Sequence, residues 1–206
     1  MYQEIIKRIK EHYPEPRIEI NYSNPFELLV GLMLSARCRD DVANRVAAAL
    51  FDRFPTPDKL AAADVDEINR IISACSMHNT KAKNLKKMAE VLCFRHGCKV
   101  PDKFEDLVAL PGVARKTANM VLSFGFGIPA VGVDTHVARV AKRLGISHSD
   151  KPEEVEEAIK TICPKEDWIT FYSGLILFGR YICKARKPLC DKCFLRDLCG
   201  EAGGKQ

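Results

Sequence analysis

Four cysteines near the C-terminus have the spacing that points most directly to chemistry. They follow the pattern C-x6-C-x2-C-x5-C within the segment CKARKPLCDKCFLRDLC. Four thiolates in so short a span can hold an iron–sulfur cluster, because cysteine is the usual ligand of such clusters. A structural zinc site is the main alternative, although zinc sites favour two short C-x2–4-C pairs and this pattern has only one. The four are Cys183, Cys190, Cys193 and Cys199.

Disulfide bonds are a third use of cysteine. The chain has nine cysteines, an odd number, and its start, MYQEIIKRIKEHYPEP, lacks the apolar core of a secretory signal. No stretch reaches the roughly 18 apolar residues of a membrane span. We therefore expect an intracellular, reducing location, which disfavours disulfides. The other cysteines are scattered, and each is expected to be a small buried side chain: Cys38, Cys75, Cys93, Cys98 and Cys163.

A second candidate site is the segment LPGVARKTA, residues 110–118, where two helices are predicted to meet at a tight turn. Gly112 can take a backbone conformation closed to other residues. The turn then directs backbone amides at the start of the second helix outward, and such a place binds phosphate without any side chain. Arg115 adds positive charge beside it. A plain helical hairpin without a ligand is the alternative.

Three polar residues lie in or after this turn, one of them in LPGVARKTA and two in the later segment VDTH. Each of them, considered alone, has an ordinary structural role that needs no catalysis. Asp134 is a natural N-cap for the helix that follows it. Lys116 alone would be a solvated surface lysine, and His136 alone would be a partner for local polar groups.

Helices are the elements predicted to position these residues. Residues 24–27 form a helix start, with an N-cap, proline at the first helical position and glutamate placed for a capping box. Apolar residues then cover every side of 26–34, so this helix is expected to be central and buried. Further apolar stripes at helical spacing occupy 137–144, 155–162 and 168–182. Strand signals are weak, and we predict an all-α protein.

The composition permits a globular protein with a polyanionic partner. The chain has 206 residues, of which 47% are hydrophobic, and a net charge of +5. That size suits one large or two small domains. The chain is only mildly basic, so its charge permits a polyanionic partner without requiring one. Basic residues cluster at 81–87 and 180–187. The basic side chains of each cluster could contact phosphates or could simply lie on a helix face in solvent.

In their order and separation, LPGVARKTANMVL, VDTHVARV and the cysteine pattern resemble the endonuclease III family, bifunctional DNA glycosylases of base-excision repair in the helix-hairpin-helix superfamily. The resemblance extends over nearly the whole chain, from NPFELLVGLMLSA onward. It implies two α-helical domains with double-stranded DNA bound in the cleft between them. One is a six-helix barrel over residues 18–128, with the helix-hairpin-helix at about 104–122. The other joins residues 1–17 to 129–206 and holds a [4Fe–4S] cluster.

The resemblance also implies roles for particular residues. Lys116 is expected to be the nucleophile and Asp134 its acidic partner in removing damaged pyrimidines and cleaving the strand through a Schiff base. The damaged base must first leave the duplex, and Met77 is expected to be the wedge that fills the gap. The four clustered cysteines are the expected cluster ligands, and the protein is expected to act as a monomer in a prokaryotic nucleoid. Further DNA contacts are expected from Arg37, Asp40, His78, Gly112, Val113, Ala114, Arg115, His136, Lys184, Arg186 and Lys187.

Three positions depart from the family pattern. Ala114 stands where glycine is typical, and we expect it to be tolerated because the rest of the motif holds. Arg37 stands where a glutamine often contacts the base opposite the lesion. Arginine only donates hydrogen bonds and can pair with the acceptors of guanine, so we predict a preference for lesions opposite guanine. His78 replaces a common tyrosine and could stack or hydrogen-bond.

Two other functions remain open at this point. A mismatch glycosylase acting on thymine, uracil or adenine would share the fold and the cluster, but such relatives usually lack a lysine at the place of Lys116. A non-catalytic DNA-binding iron–sulfur protein would need neither Lys116 nor Asp134.

Overall fold

The structure is a computed structural model that describes residues 1–201, and every regular element in that range is a helix. The predicted all-α class is confirmed. Single turns of other helix types occur at Val121–Gly125, Lys165–Asp167, Cys190–Lys192 and Arg196–Leu198. The α-helices are α1 Tyr2–His12, α2 Pro25–Ser35, α3 Asp40–Arg53, α4 Pro57–Ala62, α5 Val65–Ile71, α6 His78–His96, α7 Phe104–Val108, α8 Arg115–Met120, α9 Thr135–Arg143, α10 Pro152–Ile162 and α11 Trp168–Tyr181.

The chain divides into two compact units. The first unit combines Met1–Ile18 with Gly127–Gln206, and the second unit is the continuous segment Glu19–Phe126. Helices α2 to α8 therefore belong to the second unit, and α1 and α9 to α11 belong to the first.

Helix α2 forms the centre of the second unit. Its N-cap, Asn24, accepts hydrogen bonds through Oδ1 from the amides of Phe26 and Glu27, each at 3.0 Å. The carboxylate of Glu27 reaches back to the amide of Ser23 at 2.7 Å, which completes a capping box shifted by one residue. Every residue from Phe26 to Leu34 except Glu27 is buried, as the sequence predicts.

Helix α6 uses two of its lysines inside the second unit. Lys81 Nζ donates to the carbonyls of Leu34 and Ala36, both at 2.7 Å, where α2 ends. Lys86 Nζ likewise donates to carbonyls at the end of α4. An ammonium group stabilises a helix C-terminus because the last carbonyls lack helical partners. Of the four lysines in the basic cluster at 81–87, Lys81 is therefore buried and Lys86 is half-buried, whereas Lys83 and Lys87 are exposed.

Helix α11 forms the centre of the first unit, and residues 171–179 of it are all buried. Two glycines let neighbouring helices approach closely. A Cβ at Gly174 would lie 2.5 Å from the side chain of Ile9 on α1. A Cβ at Gly179 would lie 3.0 Å from His136 on α9. A side chain at position 174 would require Ile9 to shift, and one at position 179 would require His136 to give by a few tenths of an ångström.

One cysteine expectation is wrong: Cys93 and Cys98 form a disulfide. The reason lies in the backbone where α6 ends. Gly97 and Cys98 have φ values of 59° and 58°, which fold the chain back so that Cys98 meets the last turn of the helix. Cys75 and Cys163 are buried free thiols, as expected, whereas Cys38 is a free thiol that is only partly buried. No helix within residues 1–201 is long and apolar enough to cross a membrane.

Candidate functional site

The turn between α7 and α8 has the geometry that its glycine predicts. Gly112 has a φ of 79°, and a Cβ there would lie 2.9 Å from the side chain of Asn84. The preceding helix ends at Val108, two residues before the segment 110–118 that holds the predicted turn. Ala109 still has helical backbone angles, so the last turn of the helix is only loosened. Any other residue at 112 would be strained and would press on α6.

The two residues after Gly112 differ in what they offer to a ligand. Ala114 is exposed, and its φ of −88° and ψ of 164° are open to every residue. Alanine in place of the family's glycine is therefore unstrained, as expected. Val113 is buried, and its amide donates to the carbonyl of Leu110 at 3.1 Å. The turn therefore already pairs the Val113 amide internally.

Two basic residues begin α8. Lys116 is exposed, one residue into the helix. The guanidinium of Arg115 lies 4.9 Å from the ring centroid of Phe104 on α7. A cation over an aromatic face is attracted by it, so this contact helps to hold the two helices of the hairpin together.

Asp134 caps α9 in the first unit. Its Oδ1 accepts hydrogen bonds from the amides of His136 and Val137, both at 2.8 Å. Because both amides bond to Oδ1, the cap does not consume Oδ2. The side chain is half-buried, so it is held at the helix start without being sealed from solvent.

His136 follows in the first turn of α9 and packs against α11. Its Nδ1 lies 3.3 Å from the guanidinium of Arg139, which also donates to the carbonyl of Gly179 at 2.7 Å. Burial lowers the pKa of His136. The imidazole is consequently held neutral more readily than an exposed histidine.

Two loops of the second unit carry residues expected to enter DNA. We call them the paired loops: residues 36–39, between α2 and α3, and residues 73–77, between α5 and α6. Arg37 and Met77 are both exposed and have φ values of 55° and 57°. The Ser76 hydroxyl donates to the carbonyl of Arg37 and joins the loops. Two non-glycine residues in this strained region are typical of a functional site.

Other expected contacts lie beside the paired loops. His78 begins α6, and its Nδ1 lies 2.6 Å from Oδ1 of Asn69, whose amide donates to Asn79 at 2.8 Å. This chain of hydrogen bonds orients the imidazole. Asp40 is half-buried and begins α3.

The four clustered cysteines converge on one cavity in the first unit. All four line a space of about 400 Å³, walled on its apolar side by Phe178 and Ile182. No three His, Cys, Asp or Glu side chains within residues 1–201 converge as one metal ion requires. Burial raises the pKa of the Cys193 thiol, so binding of a metal would be needed to deprotonate it readily. Four soft sulfur donors around a space of this size fit an iron–sulfur cluster.

Arg143 of α9 fixes the start of the cysteine segment. Its guanidinium lies 3.3 Å from Sγ of Cys183 and donates to the carbonyl of Lys184 at 2.8 Å. The Cys199 thiol in turn donates to the carbonyl of Arg143 at 3.4 Å. One arginine therefore contacts both ends of the segment and supplies positive charge beside sulfurs that are anionic when they bind metal.

The N-terminal helix holds the middle of the same segment. Arg8 donates to the carbonyl of Phe194 at 3.0 Å and to the carboxylate of Asp197 at 2.7 Å. The ring of His12 stacks on that of Phe194, with centroids 3.6 Å apart. These contacts explain why α1 belongs to the same unit as the C-terminal helices.

The loop between the first two cysteines is exposed and basic. Lys184, Arg186 and Lys187 all lie in solvent, and Lys187 has a φ of 51°. Their side chains are therefore accessible to a phosphate.

Sequence reasoning missed the residues that support these sites. Lys81 was counted only in a basic cluster, and Arg143 and Arg8 were not singled out. Each acts on a backbone carbonyl at least 41 residues away in the chain. A pairing over that separation leaves no local pattern, and Arg143 stands in α9 beside Arg139 and Lys142, which hides it among ordinary basic residues.

Comparison with known proteins places the chain in context. The family model described as HhH-GPD superfamily base excision DNA repair protein matches residues 30–165. A second, described as the iron–sulfur binding domain of endonuclease III, matches residues 183–199. The second match begins at Cys183 and ends at Cys199, the outer members of the cysteine pattern.

Individual relatives agree over nearly the full length. Endonuclease III of Bacillus subtilis is 44% identical over 95% of this chain and 90% of its own length. The enzyme of Escherichia coli K12 is 40% identical over 95% of this chain and 93% of its own. A structure of a trapped endonuclease III–DNA covalent intermediate, 40% identical, matches with a TM-score of 0.93 over 98% of this chain and 97% of the other. A thermostable thymine-DNA glycosylase, 24% identical with a TM-score of 0.86 over 98% of this chain and 96% of the other, shares the fold.

Proposed function

This chain belongs to the endonuclease III family of base-excision-repair DNA glycosylases with AP lyase activity, and from that premise we propose that Lys116 and Asp134 carry its chemistry. Its substrate is DNA, and it carries a [4Fe–4S] cluster. We assign damaged pyrimidines and abasic sites in a duplex as the sites of attack. The protein would work as a monomer on the chromosome of a prokaryotic cell.

Lys116 is the nucleophile in this proposal. Once the damaged base has been extruded, the unprotonated amine attacks C1′ of the sugar, and the bond from C1′ to the base breaks. The base departs with the bonding electrons and takes up a proton. The ring-opened sugar is then joined to Nζ as a Schiff base. Loss of a C2′ proton expels the 3′ phosphate by β-elimination, and water releases the lysine.

Asp134 assists the departure of the base. A carboxylate stabilises the positive charge that develops on the sugar as the bond to the base lengthens, and it can accept a proton from the attacking amine. The hydrogen-bonded cap fixes one oxygen, Oδ1, in position. Oδ2 is the atom that would act on the substrate.

Backbone and basic groups hold the phosphates. The exposed turn at Gly112 and Ala114, with the charge of Arg115, suits a phosphate of the DNA backbone. Cys183, Cys190, Cys193 and Cys199 would hold the cluster, which supplies a rigid cross-link for the segment when bound. Lys184, Arg186 and Lys187 would then face a second stretch of phosphates. Such contacts orient the protein but do not read sequence.

The single observation that carries this proposal is the position of Lys116. It is exposed one residue into the second helix of the hairpin, four residues after a glycine that the turn requires.

Trapping of the Schiff base tests the proposal. The protein would be incubated with a duplex that contains thymine glycol, and borohydride would be added. We expect a covalent protein–DNA adduct for the unaltered protein and for Lys83→Gln, an exposed lysine of the same unit, but none for Lys116→Gln. A brown protein that binds the duplex and yields no adduct would instead indicate a monofunctional mismatch glycosylase or a binding module.

Arg37 is proposed to set the preference for the opposite base. Its strained, exposed position suits insertion into the gap, and its guanidinium can donate two hydrogen bonds to O6 and N7 of guanine. A good bidentate pair is worth about 1–3 kcal/mol, so excision opposite guanine should be about 5-fold or more faster than opposite adenine. Arg37→Gln should reduce that ratio, while Arg39→Gln should preserve it. Equal rates opposite all four bases in the unaltered protein would contradict the assignment.

A further inference from the structure

Two cysteines with no part in the cluster have their sulfur atoms in contact. Sγ of Cys38 lies 3.3 Å from Sγ of Cys75. Both residues belong to the second unit, whereas the cysteine segment belongs to the first. A disulfide bond is about 2.05 Å long, so the two sulfurs need to approach by little more than 1 Å to bond.

The thiols lie in segments that can make this movement. Cys38 belongs to the first of the paired loops and Cys75 to the second, and neither is held in an α-helix. The Ser76 hydroxyl already joins the loops by a hydrogen bond to Arg37. The remaining movement of the sulfurs therefore falls on loop backbone and does not require any α-helix to unwind.

Access and charge give the two thiols different roles. Cys38 is partly exposed, whereas Cys75 has only 2% of its surface accessible. Burial, followed by the hydrogen bond between the two thiols, raises the pKa of Cys75 to about 11. The ammonium group of Lys81 opposes that rise, because its positive charge interacts with Cys75. Cys38 is thus the thiol that a reagent meets first, and Cys75 is the thiol that follows it.

We propose that Cys38 and Cys75 are a modification site, oxidised to a reversible disulfide by small-molecule disulfides of the glutathione class. The Cys38 thiolate attacks one sulfur of the reagent, which breaks the reagent's S–S bond and releases one thiol. The Cys75 thiolate then attacks Sγ of Cys38 and releases the second thiol. Two protein thiols and one disulfide become one protein disulfide and two small thiols. The two electrons pass to the reagent, and the protons from the cysteines pass to the released thiolates.

The bond would change how the protein handles DNA. Arg37 precedes Cys38 directly, and Met77 lies two residues after Cys75. A bond between the sulfurs would therefore fix the two residues that are proposed to enter the DNA duplex. This consequence rests on the proposed function. Displacement of a positioning group by about 1 Å can cost as much as 10²-fold in rate, and we expect excision to slow by about tenfold or more.

Peptide mapping tests the bond itself, independently of any DNA chemistry. The complete protein with its cluster would be equilibrated with increasing ratios of oxidised to reduced glutathione. Free thiols would then be alkylated, and the protein cut so that residues 38 and 75 lie on separate peptides. We expect a linked peptide pair that disappears on addition of dithiothreitol and persists in Cys163→Ser, which removes a buried thiol elsewhere. Cys75→Ser should retain glutathione on Cys38.

Two results would overturn the proposal. One is glutathione that stays on Cys38 of the unaltered protein without any link to Cys75. The other is alkylation of both thiols at every ratio of oxidised to reduced glutathione. Neither result depends on whether a variant folds, because both are read on the unaltered protein.

A second measurement separates this proposal from the catalytic one. Single-turnover excision would be compared before and after oxidation, with the cluster absorbance followed to show that the cluster persists. Slower excision that dithiothreitol restores, and that Cys38→Ser does not show, supports the effect on DNA. If the oxidised protein excises the base as fast as the reduced protein does, the disulfide has no effect on the handling of DNA. Failure of the reduced protein to trap DNA would count against Lys116 and leave the mapped disulfide unaffected.

Discussion

At the scale of single residues, Asp134 combines a structural and a proposed chemical role. Its Oδ1 caps α9 through two amides. Asparagine caps a helix about as well as aspartate, whereas alanine costs about 1 kcal/mol. Only aspartate carries the negative charge that general-base and electrostatic assistance require. Two substitutions at this position therefore separate the roles.

Asp134→Asn should leave the free energy of unfolding within about 0.5 kcal/mol of the original and slow base release by about 10²-fold or more. Asp134→Ala should show the same loss of rate together with a loss of stability. Urea unfolding and single-turnover excision measure the two effects. A rate for Asp134→Asn equal to that of the unaltered protein would remove Asp134 from the chemistry and leave it as a cap.

Sequence reasoning works at this scale when the rule is local. The caps at Asn24 and Asp134 and the positive φ of Gly112 each depend on residues only a few positions away, and the structure has all three. The contact of Arg143 with Cys183 depends on a fold that brings together residues 40 positions apart. The disulfide at Cys98 depends on a backbone reversal in a residue type that rarely makes one.

At the scale of elements, α6 is the helix that ties the second unit together. It offers Lys81 to the end of α2 and Lys86 to the end of α4. The sequence shows both residues only as members of a basic run, since the periodicity of α6 cannot reveal which lysines meet a helix end. A lysine is well suited to this use because its long apolar stem packs along neighbours while the ammonium reaches the carbonyls.

Lys86→Met tests this role of α6. Nζ of Lys86 donates at 3.0 Å and 2.6 Å to the carbonyls of Ala61 and Ala63. Methionine keeps much of the apolar part of the side chain but removes the ammonium group and with it both hydrogen bonds. We expect a loss of about 1–2 kcal/mol in the free energy of unfolding. The exposed neighbour Lys87, changed to Met in the same way, should cost less than about 0.5 kcal/mol. Equal stabilities of the two variants by urea unfolding would show that the caps at α4 contribute nothing.

At the scale of the whole molecule, the second unit is one continuous segment that is inserted between the two stretches of sequence that form the first unit. Helix α1 belongs with the C-terminal helices because Arg8 and His12 contact Phe194. The family resemblance in the sequence predicts such an arrangement, while the amphipathic pattern of α1 alone does not say which helices it joins. Assignment of the barrel and the cluster to these units remains a prediction.

Removal of the cluster is the prediction that belongs to this scale. Within residues 183–201 only Cys190–Lys192 and Arg196–Leu198 are helical. Loss of order there should change far-ultraviolet circular dichroism little. DNA affinity should nevertheless fall, because Lys184, Arg186 and Lys187 would no longer be held in one arrangement. Each lost phosphate contact lowers the slope of log affinity against log salt by about 0.9, so the slope should fall by about 2–3.

A variant with alanine at residues 184, 186 and 187 provides the matched control. With its cluster retained, it should show the same reduced salt slope as the cluster-free protein. Removal of the cluster from this variant should then add little, since the contacts that the cluster orders are already gone. If the cluster-free protein instead keeps the full slope, the basic loop binds DNA without help from the cluster. If removal weakens the variant as much as it weakens the unaltered protein, the cluster supports DNA binding through residues outside this loop.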